Sequence, residues 1–367
     1  MKPIVIAAGG TGGHLFPAEA LAAELTARGR RIVLMTDARS GGLQSPAFAG
    51  KERYVIRGAG IAGRGVLRAG SAAAAMLAGA AQARRILARL DAAAVVGFGG
   101  YPCVAPVLAT RLMRHRPSII LHEQNAVLGR ANRFLAKRAD MLALSFAATA
   151  RVPESAATVV TGNPVRPAIA ALAQAGYAAP GGERIRLLVL GGSLGARVFS
   201  DVVPDALRAL PAVQRSRLVV TQQCRPEDLD RVRAAYADMG IAAELAAFFP
   251  DVAACLVAAH LVIARAGAST VAELGVAGRP SVLVPLPGAI DDHQSANARA
   301  LSDAGGTWVM PQQAFTAAAL AAKLAVLFAE PALLARAAVG ARSVARTDAG
   351  ARLADLVEDL MRQEVRA

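Results

Sequence analysis

Short apolar runs alternate with alanine- and leucine-rich stretches along most of the chain, and glycines stand at many of the junctions. Residues 3–8 read as a β run, residues 9–13 as a glycine loop, and residues 17–28 as a helix; the next strand covers 31–36. The rhythm continues with a strand at 93–96, the loop GFGGYP at 97–102, a helix to about residue 113, and a strand at 118–121. After TGNPVRP at 161–167 a turn-rich stretch runs to 183, and the pattern then starts again. A strand at 186–190 leads into GGSLG at 191–195 and a helix over 196–210. Strands at 218–221 and 261–264 follow, and the segment 265–273 opens a further helix. The run 281–285 reads as a buried strand, 291–301 as a helix, and 351–362 as the last helix.

Strands alternating with helices in this way predict parallel sheets covered on both faces. The restart after residue 183 predicts two such doubly wound α/β domains, 1–163 and 164–340. Residues 341–367 form a helical segment that could pack back on the first domain. Open parallel sheets bind ligands outside the carboxyl ends of their strands. Glycine loops at those ends let a phosphate approach backbone N–H groups at helix starts. The pattern therefore predicts a phosphate-bearing ligand in a cleft between two sheets.

Composition narrows the class. Over half of the 367 residues are apolar, enough for two cores. Charged residues interrupt most apolar stretches before they reach the roughly 20 residues that a bilayer needs. The first residues enter a strand at once, which leaves no room for a signal segment. Cys103, Cys224 and Cys255 are few, odd in number and far apart, so neither a disulfide framework nor a zinc spacing emerges. A net charge of +14 favours phosphorylated or anionic partners. Aromatics are sparse and no helix-turn-helix, zinc or stacking signature is present, so nucleic acid is not an expected partner.

Two other phosphate chemistries compete. Asp37 ends the second strand where an acid would meet a dinucleotide ribose, but Leu15 occupies the third glycine position of that fingerprint. Asp228 and Asp230 have the spacing of a metal pair, yet they follow Pro226 and Glu227 in what reads as a helix first turn.

Six segments together resemble one family: GGTGGHLFPAEALA at 9–22, GFGGYP at 97–102, HEQNAVLGRANR at 122–133, TGNPVR at 161–166, GGSLGAR at 191–197 and ARAGASTVAEL at 264–274. They are similar to the MurG glycosyltransferases, which move N-acetylglucosamine from UDP to undecaprenyl-diphosphate-linked N-acetylmuramoyl-pentapeptide. The resemblance implies a GT-B fold, an inverting transfer without metal or cofactor, and a product known as lipid II. It implies a peripheral protein on the cytoplasmic face of the plasma membrane, acting in the wall synthesis that supports cell shape and division. On this reading the first domain takes the acceptor and the membrane, and the second takes the UDP-sugar.

The resemblance also assigns residues. His14 becomes the general base that takes the acceptor hydroxyl proton; its rival roles are a hydrogen bond to the donor and a structural cap. Thr11, Gly12, Gly13, Asn125, Arg166, Ser193, Phe249, Ala268, Ser269, Thr270, Glu273 and Gln294 fall to the donor. Glu273 matches the glutamate that takes the ribose hydroxyls, since a carboxylate can accept two hydrogen bonds from a diol. Gly12, Gly13, Gly99, Gly100, Tyr101, His122 and Glu123 fall to the acceptor, with His122 and Glu123 as the next candidates for the base. Where the family often continues with Ser-Gly-Pro after the tyrosine, this chain has Pro102, Cys103 and Val104. Arg64, Arg68, Arg84, Arg85 and Arg89 around Met76, Leu77, Ile86 and Leu87, with a second basic cluster at 111–116, suit an anionic leaflet. The rival functions are a UDP-N-acetylglucosamine epimerase or hydrolase of the same fold, a non-catalytic nucleotide-sugar-binding scaffold, and a dinucleotide oxidoreductase.

Overall fold

The computed structural model describes residues 2–9, 12–38, 45–57, 66–182, 184–192 and 195–366. It divides into two units, Met1–Pro167 with Asp348–Ala367, and Ala168–Thr347.

The first unit is built on β1 (Ile4–Ala7), β2 (Ile32–Thr36), β3 (Glu52–Val55), β4 (Ala94–Gly97), β5 (Ser118–Glu123), β6 (Met141–Leu144) and β7 (Thr158–Val160). They form one parallel sheet in the order β3-β2-β1-β4-β5-β6-β7. The strand IVIA of β1 is buried at every position because both faces of the sheet are covered. Its side chains alternate: Ile4 and Ile6 enter one core, Val5 and Ala7 the other. The register places Ala7 level with Met35 and Gly97, so β1, β2 and β4 end together. Between β1 and β4 the strand order reverses, and the crevice of an open sheet lies at that point.

Four helices of this unit bear on function: α1 (Gly12–Ala27), α2 (Val66–Leu90), α3 (Tyr101–Thr110) and α4 (Arg130–Leu135). α1 starts five residues before the sequence reading placed it, with Pro17 inside it. Two glycines and a proline obscure that start, yet Pro17 only removes the N–H that would bond the Gly13 carbonyl. The helix Ala349–Arg366 packs on α1, burying Leu353, Ala354 and Val357 in the core that also holds Ile4, Leu21 and Leu25. Arg28, directly after α1, binds Asp355 and Glu358 of that helix, and Arg30 binds Glu358.

The second unit repeats the design with β8 (Ile185–Leu190), β9 (Leu218–Gln223), β10 (Ala242–Ala246), β11 (Leu261–Ala264), β12 (Ser281–Leu283) and β13 (Thr307–Val309). This parallel sheet has the order β10-β9-β8-β11-β12-β13, and its strand order reverses between β8 and β11. No single helix among the described residues is long and apolar enough to cross a membrane. The helices Ala317–Ala329 and Pro331–Ser343 pass that test only together, across a 96° bend. Their Leu320, Leu324, Leu327, Phe328 and Leu334 are buried in the core of the second unit.

Candidate functional site

In the first unit the chemistry-bearing residues gather where β1, β4 and β5 end. α1 begins at Gly12, which puts His14 in its first turn, and β4 runs into Gly99 and Gly100 before α3. Both glycines have positive φ, 81° and 68°, and Gly100 with ψ −179° occupies a region open only to glycine. A Cβ on Gly99 would stand 3.5 Å from His14 Cε1, and one on Gly100 would stand 3.7 Å from Nε2. The imidazole therefore lies against bare backbone. Cys103 donates its S–H to the Gly100 carbonyl at 3.1 Å, and burial pushes its thiol up to about 12, so it is no nucleophile at neutral pH.

β5 delivers the other partners. His14 Nδ1 is 2.9 Å from Gln124 Oε1, Gln124 Nε2 is 3.0 Å from His122 Nδ1, and His122 Nε2 is 3.0 Å from the Gly162 carbonyl. His122 also packs on the Phe98 ring, with centroids 5.3 Å apart. Sequence reasoning missed Gln124, because nothing in its spacing separates it from its neighbours in HEQN.

His122 and Glu123, expected at the acceptor, turn inward instead. β5 extends two residues beyond the strand read from the sequence, so both are enclosed, 0% and 2% exposed. Glu123 Oε1 accepts from the backbone N–H and side-chain amide of Asn125, and its Oε2 accepts from Gly129 N–H and Asn132 Nδ2. Those four donors match the capacity of a carboxylate. Both ring nitrogens of His122 are likewise engaged, which removes the pair as alternative bases. What Glu123 does is shape the loop carrying Asn125, which is half-buried.

Tyr101 starts α3 with its ring partly exposed, and Gly13 is exposed at the start of α1. Arg166 holds its guanidinium 4.5 Å from the centre of the Phe16 ring, on α1. Thr11 and Ser193 lie outside the described residues.

The second unit presents a helix start of the anion-binding kind. β11 ends at Ala264, and the helix Ala268–Ala277 follows with Gly267 as its N-cap and no side-chain cap. The N–H groups of Ala268, Ser269 and Thr270 have no acceptor within the helix. The buried Ser269 Oγ has no hydrogen-bond partner among the described residues. Asn297 braces this turn by donating to the Ala266 carbonyl at 3.1 Å. Glu273 sits one turn along the same helix, largely buried. Gln294 is half-buried, with its Oε1 accepting from Leu286 N–H at 2.9 Å. Gln223 braces the other glycine loop, accepting from Gly191 N–H and donating to the Gly192 carbonyl. Asn297 and Gln223 are further residues that sequence reasoning passed over.

Phe249, expected against the donor base, is 6% exposed and belongs to the interior; its neighbour Phe248 is 63% exposed. Asp228 binds Arg231 and Asp230 binds Arg233, each within its own helical turn. No group of three His, Cys, Asp or Glu able to hold a metal occurs among the described residues.

The basic apolar face is smaller than expected. Ile86 and Leu87 are buried in the core, because α2 packs that side on α3. Arg89 stacks on Tyr54, and Arg116 pairs with Asp140. Leu77 and Leu112 remain, 72% and 62% exposed, with exposed Arg84, Arg85, Arg111 and Arg114. Arg84 Nε donates to the Leu112 carbonyl at 3.0 Å, tying α2 to the segment after α3. Arg64 lies outside the described residues, as does the side chain of Arg68.

Comparison with known proteins adds relatives over nearly the full length. Residues 4–144 match the glycosyltransferase family 28 N-terminal domain, and residues 186–353 match the family 28 C-terminal domain. The chain is 64% identical over 358 residues to the UDP-N-acetylglucosamine--N-acetylmuramyl-(pentapeptide) pyrophosphoryl-undecaprenol N-acetylglucosamine transferase of Granulibacter bethesdensis, spanning 97% of this chain and 93% of that one. It is 55% identical over 363 residues to the protein of the same name from Gluconobacter oxydans, spanning 98% and 99%. Among solved structures it is similar to Acinetobacter baumannii MurG, with a TM-score of 0.81 at 32% identity over 98% of this chain and 100% of that one.

Proposed function

The chain belongs to glycosyltransferase family 28, and we propose that its two units divide the work of one sugar transfer. It is an N-acetylglucosaminyltransferase of the GT-B fold, moving N-acetylglucosamine from UDP to undecaprenyl-diphosphate-linked N-acetylmuramoyl-pentapeptide, lipid I to lipid II.

The second unit holds the donor. The helix starting at Ala268 offers N–H groups and its positive end to the diphosphate. Glu273 takes the ribose hydroxyls and Gln294 the sugar; Asn125 and Arg166, which belong to the first unit, are the residues that the family resemblance assigns to the sugar and to the departing diphosphate. Because the Phe249 ring is enclosed, Phe248 is the aromatic available to pack on the base. The first unit holds the acceptor diphosphate over Gly12, Gly13, Gly99, Gly100 and Tyr101.

In the transfer the muramoyl C4 hydroxyl gives its proton to His14 Nε2 while its oxygen attacks the anomeric carbon. The bond from that carbon to the β-phosphate oxygen breaks, its electron pair leaves with UDP, and the configuration inverts. Charge on UDP is stabilised by the helix end and Arg166, without a cation or cofactor. The observation that carries this division is the His14 ring lying against Gly99 and Gly100 where β1 and β4 end.

A lipid-linked acceptor brings the protein to a membrane. Leu77 and Leu112 rimmed by Arg84, Arg85, Arg111 and Arg114 form the face for an anionic surface, on the cytoplasmic side, with no role for nucleic acid. Label transfer from UDP-N-acetylglucosamine to a polyprenyl-linked muramoyl-pentapeptide tests the reading. Transfer that persists in EDTA is expected. Release of free sugar, or epimerised sugar without transfer, would replace it with the hydrolase or epimerase reading, and loss on chelation would replace the metal-free step.

A further inference from the structure

The hydrogen-bond chain behind His14 has one direction only, and a backbone carbonyl sets it. The Gly162 carbonyl can only accept, so His122 carries its proton on Nε2 and donates it there at 3.0 Å. Burial pushes the His122 pKa down to about 4, so the ring is neutral at physiological pH and its Nδ1 is an acceptor. Gln124 must then present its NH2 group, which lies 3.0 Å from that Nδ1 and 3.0 Å from the His122 carbonyl. Its oxygen consequently faces His14 Nδ1 at 2.9 Å. An amide oxygen accepts only, so His14 carries its proton on Nδ1 and its lone pair on Nε2.

We propose that Gln124 is the positioning residue of the transfer: it fixes His14 in the Nδ1–H tautomer and so holds the Nε2 lone pair ready for the acceptor proton. The inference rests on the reading of His14 as the base. Free imidazole favours the opposite tautomer, with its proton on Nε2, and in that form Nε2 could not take a proton. Gln124 is enclosed, 1% exposed, and makes no contact with substrate in this role. It acts as the third member of a base-orienting set, the place that a carboxylate fills in hydrolase triads. An amide there orients the ring without adding a negative charge that would favour imidazolium.

Nitrogen-15 spectra of the histidine side chains test this in the wild-type full chain, with His14 assigned from the signals missing in His14→Ala. The expected pattern is a proton on Nδ1 of His14 and on Nε2 of His122. In Gln124→Leu the His14 pattern shifts toward Nε2–H, kcat falls at least about 10-fold, and KM for UDP-N-acetylglucosamine stays within about twofold. A wild-type His14 protonated on Nε2, or an unchanged pattern in Gln124→Leu, overturns the proposal without any activity assay. A shifted pattern with unchanged kcat overturns it too. In that case, loss of turnover in His14→Ala would leave the base reading standing, and retained turnover would remove both.

Discussion

At the scale of single residues, enclosure decides what each side chain of HEQN can do. His122 is neutral in the folded protein because burial lowers its pKa from 6.5 to about 4, whereas the unfolded chain binds a proton below 6.5. The stability this supplies is full above pH 6.5 and drains away as the pH falls toward 4, on the order of 3 kcal/mol in total. Urea unfolding of the wild type and of His122→Gln across that window checks it: the wild type loses more stability on acidification. Parallel loss in the two proteins would mean that other groups carry the acid sensitivity. His14, Gly99 and Gly100 were legible as members of glycine-rich motifs. The inward turn of His122 and Glu123 was not, because it depends on β5 running two residues further between β4 and β6. Gln124 was equally hidden, since its role exists only when the start of α1, the end of β5 and the Gly162 loop are brought together.

At the scale of elements, the helix Ala349–Arg366 shows packing outweighing charge. Its exposed Arg28–Asp355 pair contributes about 1 kcal/mol or less, whereas truncating the enclosed Leu353 removes core contacts worth about 2–5 kcal/mol. Leu353→Ala is expected to lower the denaturation midpoint much more than Asp355→Ala. The reverse order would mean that ion pairs, rather than the core, hold this helix on α1. Most strands made of Val, Ile and Leu were legible as apolar runs, but the short β6, with MLAL, and β7, with TVV, were not. The edge strands β10, with the sequence AAELA, and β13, with TWV, carry too little of that signal. The start of α1 was obscured by its own glycines, although a Cβ on Gly12 would already press to 3.1 Å on the Phe16 ring one turn along.

At the scale of the whole molecule, the sequence repeats one architecture and carries a net charge of +14. Parallel sheets were legible from the alternation of strand and helix, and the position of each crevice followed from where the glycine loops fell. Which arginines face outward was not legible, since α2 puts Ile86 and Leu87 into the core and leaves Leu77 out. Replacing Arg85, Arg111 and Arg114 together by Gln is expected to weaken binding to anionic vesicles by about 10²-fold, at about 1 kcal/mol per residue. The effect should be larger at low salt. Unchanged sedimentation with anionic vesicles would move the membrane face elsewhere.

On the proposed mechanism the transfer depends on one lone pair, that of His14 Nε2. Steady-state turnover of His14→Ala with a polyprenyl-linked muramoyl-pentapeptide, set beside calorimetric UDP binding by the same variant, tests this most directly. The expected result is a kcat lower by about 10²-fold or more with UDP affinity little changed. Near-full turnover by His14→Ala would contradict the account, because Glu123 and His122 are already committed to internal hydrogen bonds and could not take over.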